Sequence, residues 1–433
     1  MKNIHLFAYY WPPASSPGVQ RWLKLTKYLS RLDNNITVIT TKNGSYPNFD
    51  ESLSTEIVSN IKTIRTNTLE PFYIFNLLRG KKSLGNKISV GMDEIKGKET
   101  LFKRISSIIR ANIFIPDARV LWVIFAIIKY VQLEIKKPAD IIITTGPPHS
   151  SHLIGLALKY IFKKKWIADF RDPWTTIYYN ETLPKYRFIK KLEYKLESLI
   201  IAKSDHIVTV TKGIFDEFRD RSNKISIINN GFDEDDFFYQ NIDKNKKFTI
   251  SYFGNLMSNQ HIPIFWNTLS KIVESNTIDI HDLYINLVGN INEQTKTLVE
   301  NSELKTCTQI LPFIPHIQAK KGMYNSDLLL LIIPNTSGND SIVTGKIYDY
   351  IGSTTPILCI GPTQGNANEI LLDCDYPGVI DYNDDMEIKN RLISTYITWK
   401  NSKNPQKINT TKRLKYSRQN QAIKFNTILN SMR

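Results

Sequence analysis

Short apolar runs alternate with segments of helical periodicity from one end of the chain to the other. Runs at 3–8, 36–40, 61–65, 140–144, 166–169 and 206–210 have the length and β-branched content of buried strands, and helical patterns at 19–32, 150–162 and 185–202 separate them. A second series of strands follows at 248–253, 283–288, 328–333 and 356–360, again with helical patterns between. Strand–helix alternation is the signature of parallel βαβ units, so two such series predict two doubly wound α/β domains. The stretch between them, FDEDDFFYQNIDKNKK at 232–247, is polar and without period, which marks a linker. Beyond the last strand the pattern is helical only. The expected organisation is a first domain at 1–231, the linker, a second domain at 248–391 and a helical tail at 392–433 that folds back across the lobes.

Length and charge narrow the class. At 433 residues the chain exceeds what a single core organises, in keeping with two domains of roughly 200 residues. Its 56 Lys and Arg against 41 Asp and Glu leave +15, an excess that suits nucleic acid, an anionic membrane surface or phosphorylated substrates. The basic residues are spread over many helices and no nucleic-acid motif accompanies them, which counts against the first. Cys307, Cys359 and Cys374 have no metal-knuckle spacing and are odd in number, so a reducing cytoplasm is expected. The start, MKNIHLFAYYWPP, is too short in its apolar run for a signal peptide and fits a first buried strand. The greasiest stretch, 120–131, contains Lys129 and falls short of the roughly 20 residues a bilayer span needs. In LFKRISSIIRANIFI at 101–115, Lys103, Arg104 and Arg110 sit among apolar residues at near-helical spacing. That pattern fits a basic helix lying in a headgroup layer, and equally an ordinary surface helix.

Four segments carry candidate chemistry. In TGKIYDYIGSTTPIL, Lys346 and Asp349 lie at i and i+3, on one helix face. The ammonium suits a diphosphate and the carboxylate accepts hydrogen bonds from a ribose diol; an intrahelical pair on a solvated face is the alternative. The loop YYWPPASSPG opens on a helix through Gly18, where backbone N–H groups approach an anion or simply make a turn. TGPPHSSH follows a strand, so His149 stands where ligands bind in open α/β sheets, either as a base or acceptor contact or as a packed helix-start residue, while His152 is expected to be structural. ADFRDPW ends the next strand and brings Arg171, Asp172 and Trp174 into one short loop, as a site or as a local ion pair beside an aromatic wall.

Taken in order, YYWPPASSPGVQRW, TGPPHSSH, DFRDPW, NNGFD at 229–233, YFGNL at 252–256 and GKIYDYIGSTTPIL resemble bacterial family-four glycosyltransferases over essentially the whole chain. The resemblance implies the GT-B fold, two Rossmann-like domains facing across a cleft, and retaining transfer from a nucleoside-diphosphate sugar with neither metal nor cofactor. It implies an acceptor that is a glycan, free or lipid-linked, in surface polysaccharide assembly, with the enzyme cytoplasmic and peripheral on the anionic inner membrane face. Gly18 then matches the glycine loop near the donor phosphates, and Lys346 the lysine on the diphosphate. Asp349 stands where the family usually has the ribose-binding glutamate, one methylene shorter. Gly254, Tyr350, Gly365 and Asn366 fall near the same pocket.

Two departures follow. Asn255 and Gln260 occupy the places of the family's basic pair, which shifts diphosphate charge onto Lys346, backbone N–H groups and His261. Arg171 or Asp172 replaces the usual histidine of the DFRDPW stretch. In retaining transfer the departing phosphate itself takes the acceptor proton, so positioning and charge stabilisation become the main tasks, with Asp172 and then His149 the leading candidates. An epimerase or hydrolase on the same fold needs more carboxylates and a histidine base around the sugar than these motifs supply.

Overall fold

The computed structural model describes residues 1–46, 48–70, 101–177, 180, 183–222, 224–237, 246–402, 407–408 and 410–432, with only the backbone of 101–106. The chain divides into two compact units: a front unit of Met1–Asn229 with Gln421–Arg433, and a rear unit of Asn230–Asn420. Of the expected linker, 238–245 lies outside the described residues, and Glu234–Phe237 forms a 3₁₀ turn of the rear unit.

The front sheet is parallel throughout. Its strands are β1 (Lys2–Phe7), β2 (Asn34–Thr41), β3 (Lys62–Thr66), β4 (Ile141–Gly146), β5 (Lys165–Phe170), β6 (His206–Thr209) and β7 (Ile225–Ile227), in the order β3-β2-β1-β4-β5-β6-β7. Central strands buried on both faces need continuous apolar runs. IIITT in β4 supplies one, pairing Ile141 with Ile4 of β1 on one side and Lys165 of β5 on the other. Strand order reverses between β1 and β4, so the loops leaving these two strands diverge and open a crevice at their carboxyl ends.

Helix α1 (Pro17–Ser30) starts with Ser16 accepting from the Val19 N–H at 3.3 Å and with proline in the first turn, a favoured helix start. Helices α2 (Leu101–Ile113) and α3 (Trp122–Lys136) follow β3, and α4 (Ser151–Phe162), α5 (Arg187–Lys203) and α6 (Lys212–Phe218) follow β4, β5 and β6. Within α3, Trp122, Ala126 and Tyr130 are buried, while Ile124, Ile128, Val131 and Ile135, spaced i, i+4, i+7 and i+11, face outward.

The rear sheet has five parallel strands, β8 (Phe248–Phe253), β9 (Leu283–Val288), β10 (Thr308–Leu311), β11 (Leu328–Ile332) and β12 (Ile357–Ile360), ordered β10-β9-β8-β11-β12. Its switch point lies between β8 and β11. Around it run α7 (Pro263–Glu274), α8 (Glu293–Glu300), α9 (His316–Asn325), α10 (Lys346–Ser353), α11 (Asn366–Asp373) and α12 (Asp385–Ser402). The predicted tail divides. Ile388, Leu392 and Tyr396 of α12 join the rear core, whereas α13 (Arg418–Ser431) sends Phe425 and Leu429 into the front core, with the Phe425 ring 5.5 Å from Trp22. The edge strands β7 and β10 were not predicted; they are three and four residues long and partly exposed, so they lack the apolar run that marks a central strand. All three cysteines are buried thiols. No helix among the described residues is long and apolar enough to cross a membrane.

Candidate functional site

In the front unit the site grows from the ends of β4 and β5. Asp169, fully buried, accepts from Arg21 Nη2 at 2.8 Å, Trp22 Nε1 at 2.8 Å and Thr145 Oγ1 at 2.8 Å. Arg21 also donates to the carbonyls of Ile228 and Asn229, at 2.9 and 3.1 Å. A buried ion pair is tolerable only when such extra hydrogen bonds satisfy both ions. This network locks the first turns of α1 to the end of β5.

Arg171 leaves the same strand. Its backbone N–H donates to the Gly146 carbonyl at 3.0 Å, its Nε to the same oxygen at 3.2 Å, and its Nη2 to the Pro147 carbonyl. The guanidinium lies where a Cβ on residue 18 would be. Gly18 therefore has a definite steric role: it admits a fixed positive charge over the start of α1. Asp172, next in sequence, has no side-chain hydrogen bond among the described residues. Burial raises its carboxyl above the usual range while the Arg171 charge opposes that rise.

His149 is buried and stacks flat on Trp174, with ring centroids 5.3 Å apart. Neither ring nitrogen makes a well-formed hydrogen bond, although the nearby Pro173 carbonyl favours the protonated form. Burial, reinforced by His152 and Arg171, holds its pKa well below the ordinary value, so the ring is neutral at pH 7. His152 contacts Thr144 Oγ1 through Nδ1 at 2.9 Å and stacks on Phe170, with burial bringing its pKa to about 3. Trp174 Nε1 is a further buried polar atom without a partner among the described residues. Such atoms occur elsewhere in the molecule too, and His149, His152 and Trp174 bring four of them together beyond the ends of β4 and β5.

The rear half-site is built on α10 and the end of β8. Lys346 Nζ donates to Tyr252 Oη at 2.5 Å and to the Asn255 carbonyl at 3.0 Å, and it lies 4.3 Å from the Tyr252 ring centroid. Desolvation lowers its pKa to about 7. Gly254 has φ +105°, and a Cβ there would come within 2.7 Å of Lys346 Cε, so glycine is required by both backbone and space. Asp349 pairs with Lys320 through Oδ1, and no ion pair joins it to Lys346. Lys320 is nearly inaccessible, with Asp236 3.8 Å away and the Phe237 ring beneath it. Each of the two predicted α10 charges thus has its own partner, which removes the intrahelical-pair alternative.

The remaining expected residues fall into three groups. Asn255 is exposed, its carbonyl taken by Lys346 and Tyr252. Tyr350 and Gln260 are buried and occupied: Phe253 N–H donates to Tyr350 Oη at 3.1 Å, and Gln260 binds the Met257 N–H and the Ile332 carbonyl. They frame the end of β8 rather than present free polar groups. Gly365 and Asn366 begin α11, where the Asn366 amide donates to the Asp340 carbonyl at 3.4 Å. His261 holds Thr295 through Nδ1 at 2.9 Å. Sequence reasoning missed Asp169, Arg21, Tyr252 and Lys320. The one available signal was a carboxylate inside the apolar end of a strand, ADF, with an arginine in the first turns of α1.

Three comparisons bear on this geometry. The sequence model of Glycosyltransferase Family 4 matches residues 18–236, more than half of the chain. No curated protein sequence matches. Solved structures share the architecture over nearly their full length at low identity. Sucrose-phosphate synthase from Thermosynechococcus elongatus is 12% identical with a TM-score of 0.63, covering 100% of this chain and 99% of the other. A glycosyltransferase from Rickettsia africae is 15% identical with a TM-score of 0.60, covering 100% and 98%. A variant of TarM from S. aureus, solved with Fondaparinux, alpha-GlcNAc-glycerol and UDP, is 9% identical with a TM-score of 0.59, covering 99% and 100%. By its sequence motifs and its paired parallel sheets, the chain belongs to glycosyltransferase family 4 and is a glycosyltransferase of the GT-B fold.

Proposed function

We propose that this enzyme moves a sugar, with retention and without a metal, from a nucleoside-diphosphate sugar to a glycan acceptor carried on lipid, in surface polysaccharide assembly at the anionic inner face of the cytoplasmic membrane. The observation that carries the reading is Lys346, a lysine pinned by Tyr252 and the Asn255 carbonyl at the end of β8, with Asp349 one turn along. Among the described residues Lys346 is bound only to neutral oxygens, and burial lowers its pKa with no carboxylate beside it to oppose that fall. A diphosphate supplies the missing charge. Asp349 keeps Oδ2 without a partner among the described residues, available to accept from a ribose hydroxyl while Lys320 holds Oδ1.

The front unit supplies the acceptor side. In this scheme Arg171 contributes a fixed positive charge on the acceptor side, and His149, kept neutral by burial, and Asp172 orient the acceptor hydroxyl. In the transfer, the sugar's C1–O bond to phosphate breaks, the acceptor oxygen bonds to C1 on the same face, and its proton passes to the departing phosphate oxygen. Lys346 and backbone N–H groups neutralise the diphosphate in this scheme.

A thermal-shift panel of uridine and guanosine diphosphates and their sugars tests the donor assignment, because a ligand that binds the native state raises the melting temperature. At least one pair should stabilise the wild type, and Lys346→Ala and Asp349→Ala should each reduce the shift. Unchanged shifts in both variants would remove the assignment. Product analysis with the matching donor sugar then separates retention from inversion.

A further inference from the structure

Helix α5 distributes its charge in an unusual way. Its two acidic residues, Glu193 and Glu197, are buried, paired with Lys185 and Arg221, each at 2.7 Å. On the opposite side Phe188, Leu192 and Leu199, at i, i+4 and i+11, form an exposed stripe; Phe188 is 67% exposed. Lys191 and Lys195 border this stripe and Lys203 continues the basic face, all three exposed, while the exposed Lys190 lies round the helix towards Glu197. The outward side of α5 thus carries no acid at all. Among the described carboxylates, the exposed Asp216 and Asp220 are paired with Arg219, and Asp205 just beyond α5 is paired with Lys159.

This face does not stand alone. Asn112 of α2 donates to the Pro184 carbonyl and accepts from the Tyr186 N–H, both at 2.8 Å, which ties the end of α2 to the start of α5. The exposed Ile113 of α2 therefore borders the same region, while Lys103 and Arg104, expected to reach a membrane, have side chains outside the described residues. Packed alongside α5 is α4, with exposed Tyr160 and Ile161, and beside α4 lies the outward isoleucine stripe of α3.

We infer that the α5 face is a docking surface for an anionic lipid bilayer, an inference that rests on the peripheral-membrane reading above and names the surface responsible. Two features select this occupant. The face joins exposed apolar side chains to unopposed lysines: the apolar side chains enter a headgroup layer while the flanking lysines extend their stems to reach anionic phosphates. A second copy is disfavoured by sign, because a two-fold interface would set the same lysine rows against each other.

Co-sedimentation with vesicles of phosphatidylglycerol and phosphatidylcholine, compared with phosphatidylcholine alone, provides the test. The wild type should bind the anionic vesicles and bind the neutral ones at least tenfold more weakly. Lys191→Glu/Lys195→Glu/Lys203→Glu should lower anionic-vesicle partitioning at least tenfold, and Phe188→Ser/Leu192→Ser/Leu199→Ser at least severalfold, with melting temperature and donor-induced shift unchanged. Wild type that fails to bind anionic vesicles overturns the membrane reading as a whole. Wild type that binds while both triple variants bind equally well overturns only the assignment to α5. Loss on charge reversal with none on apolar substitution overturns the docked helix in favour of long-range attraction. A wild-type dimer in sedimentation equilibrium that the serine variant abolishes replaces the bilayer with a second copy.

Discussion

The front unit buries its charge and the rear unit leaves its charge waiting. In the front unit Asp169 has three donors, Arg21 is satisfied by that carboxylate and two carbonyls, and His149 and His152 are held neutral by burial. The half-site of the rear unit is built from Lys346, bound to neutral oxygens, and Asp349, joined to a single lysine. The outer surfaces differ as well. Exposed large apolar side chains gather on α3, α4 and α5 of the front unit, whereas in the rear unit the described ones, such as Phe313, Leu372 and Ile397, are scattered over separate elements. One unit is a preformed scaffold with a sticky outer layer. The other holds a lysine on neutral oxygens and a carboxylate with one oxygen to spare.

Removing the front carboxylate should break that contrast hardest. Asp169→Ala removes the only carboxylate shown paired with the buried Arg21, leaving its charge on neutral carbonyls, so a loss of about 3–5 kcal/mol is expected in urea unfolding. The pair Arg21→Met with Asp169→Leu should recover part of this, whereas a small effect of Asp169→Ala would place the scaffold's rigidity elsewhere.

Acid should attack the same unit next. Burial lowers His5 to about 4 and His152 to about 3, against 6.5 for each when unfolded. The unfolded chain therefore binds more protons as pH falls below 6.5, and stability drops with pH down to those folded values. The slope contributed is about 1.4 kcal/mol per pH unit for each proton taken up. His5→Phe should flatten the profile between pH 6 and 4 in urea midpoints by roughly one such proton.

The rear unit should answer in affinity more than in stability. Lys346→Ala is expected to weaken the best nucleotide-sugar by about 2 kcal/mol, close to thirtyfold, in titration calorimetry, with the melting temperature nearly unchanged. Because a diphosphate binds the protonated lysine better, wild-type affinity should fall as pH rises above about 7. Lys346→Arg should remove that fall, since arginine stays charged.

The smallest effect sharpens the comparison. Lys320→Met frees Asp349 from its one ion-pair partner among the described residues, and about a 1 kcal/mol loss of donor affinity is expected, read as a rise in KM at constant kcat. A fall in kcat alone would show that Lys320 acts on something other than the placing of Asp349.

Strand runs such as IIITT in β4 and LLLLI in β11 were legible because a central strand of a parallel sheet must be apolar on both faces. The edge strands ISI and TQIL escaped because no such demand falls on them. The motif loops were placed at strand ends for the same topological reason, and Arg171, His149 and Trp174 do gather there. What stayed hidden was pairing. Arg21 and Asp169 are 148 residues apart, and nothing local marks either as the other's partner. Nothing in HIQAKKG sets Lys320 apart from a solvated lysine, since burial of a lysine depends on carboxylates supplied by Asp349 and Asp236 from other elements. Glu193 and Glu197 would likewise have been placed in water, where they would have cancelled the lysines of α5 instead of leaving them unopposed.

The assignment of α13 to the front core has a temporal consequence. Phe425 and Leu429 fill space beside Trp22, yet they are translated only after the entire rear unit. The usual N-terminal-first order of folding during synthesis is therefore denied its last step. An emerging front unit must keep an apolar gap open until the ribosome has delivered its final turns, and a chaperone has that whole interval in which to bind it.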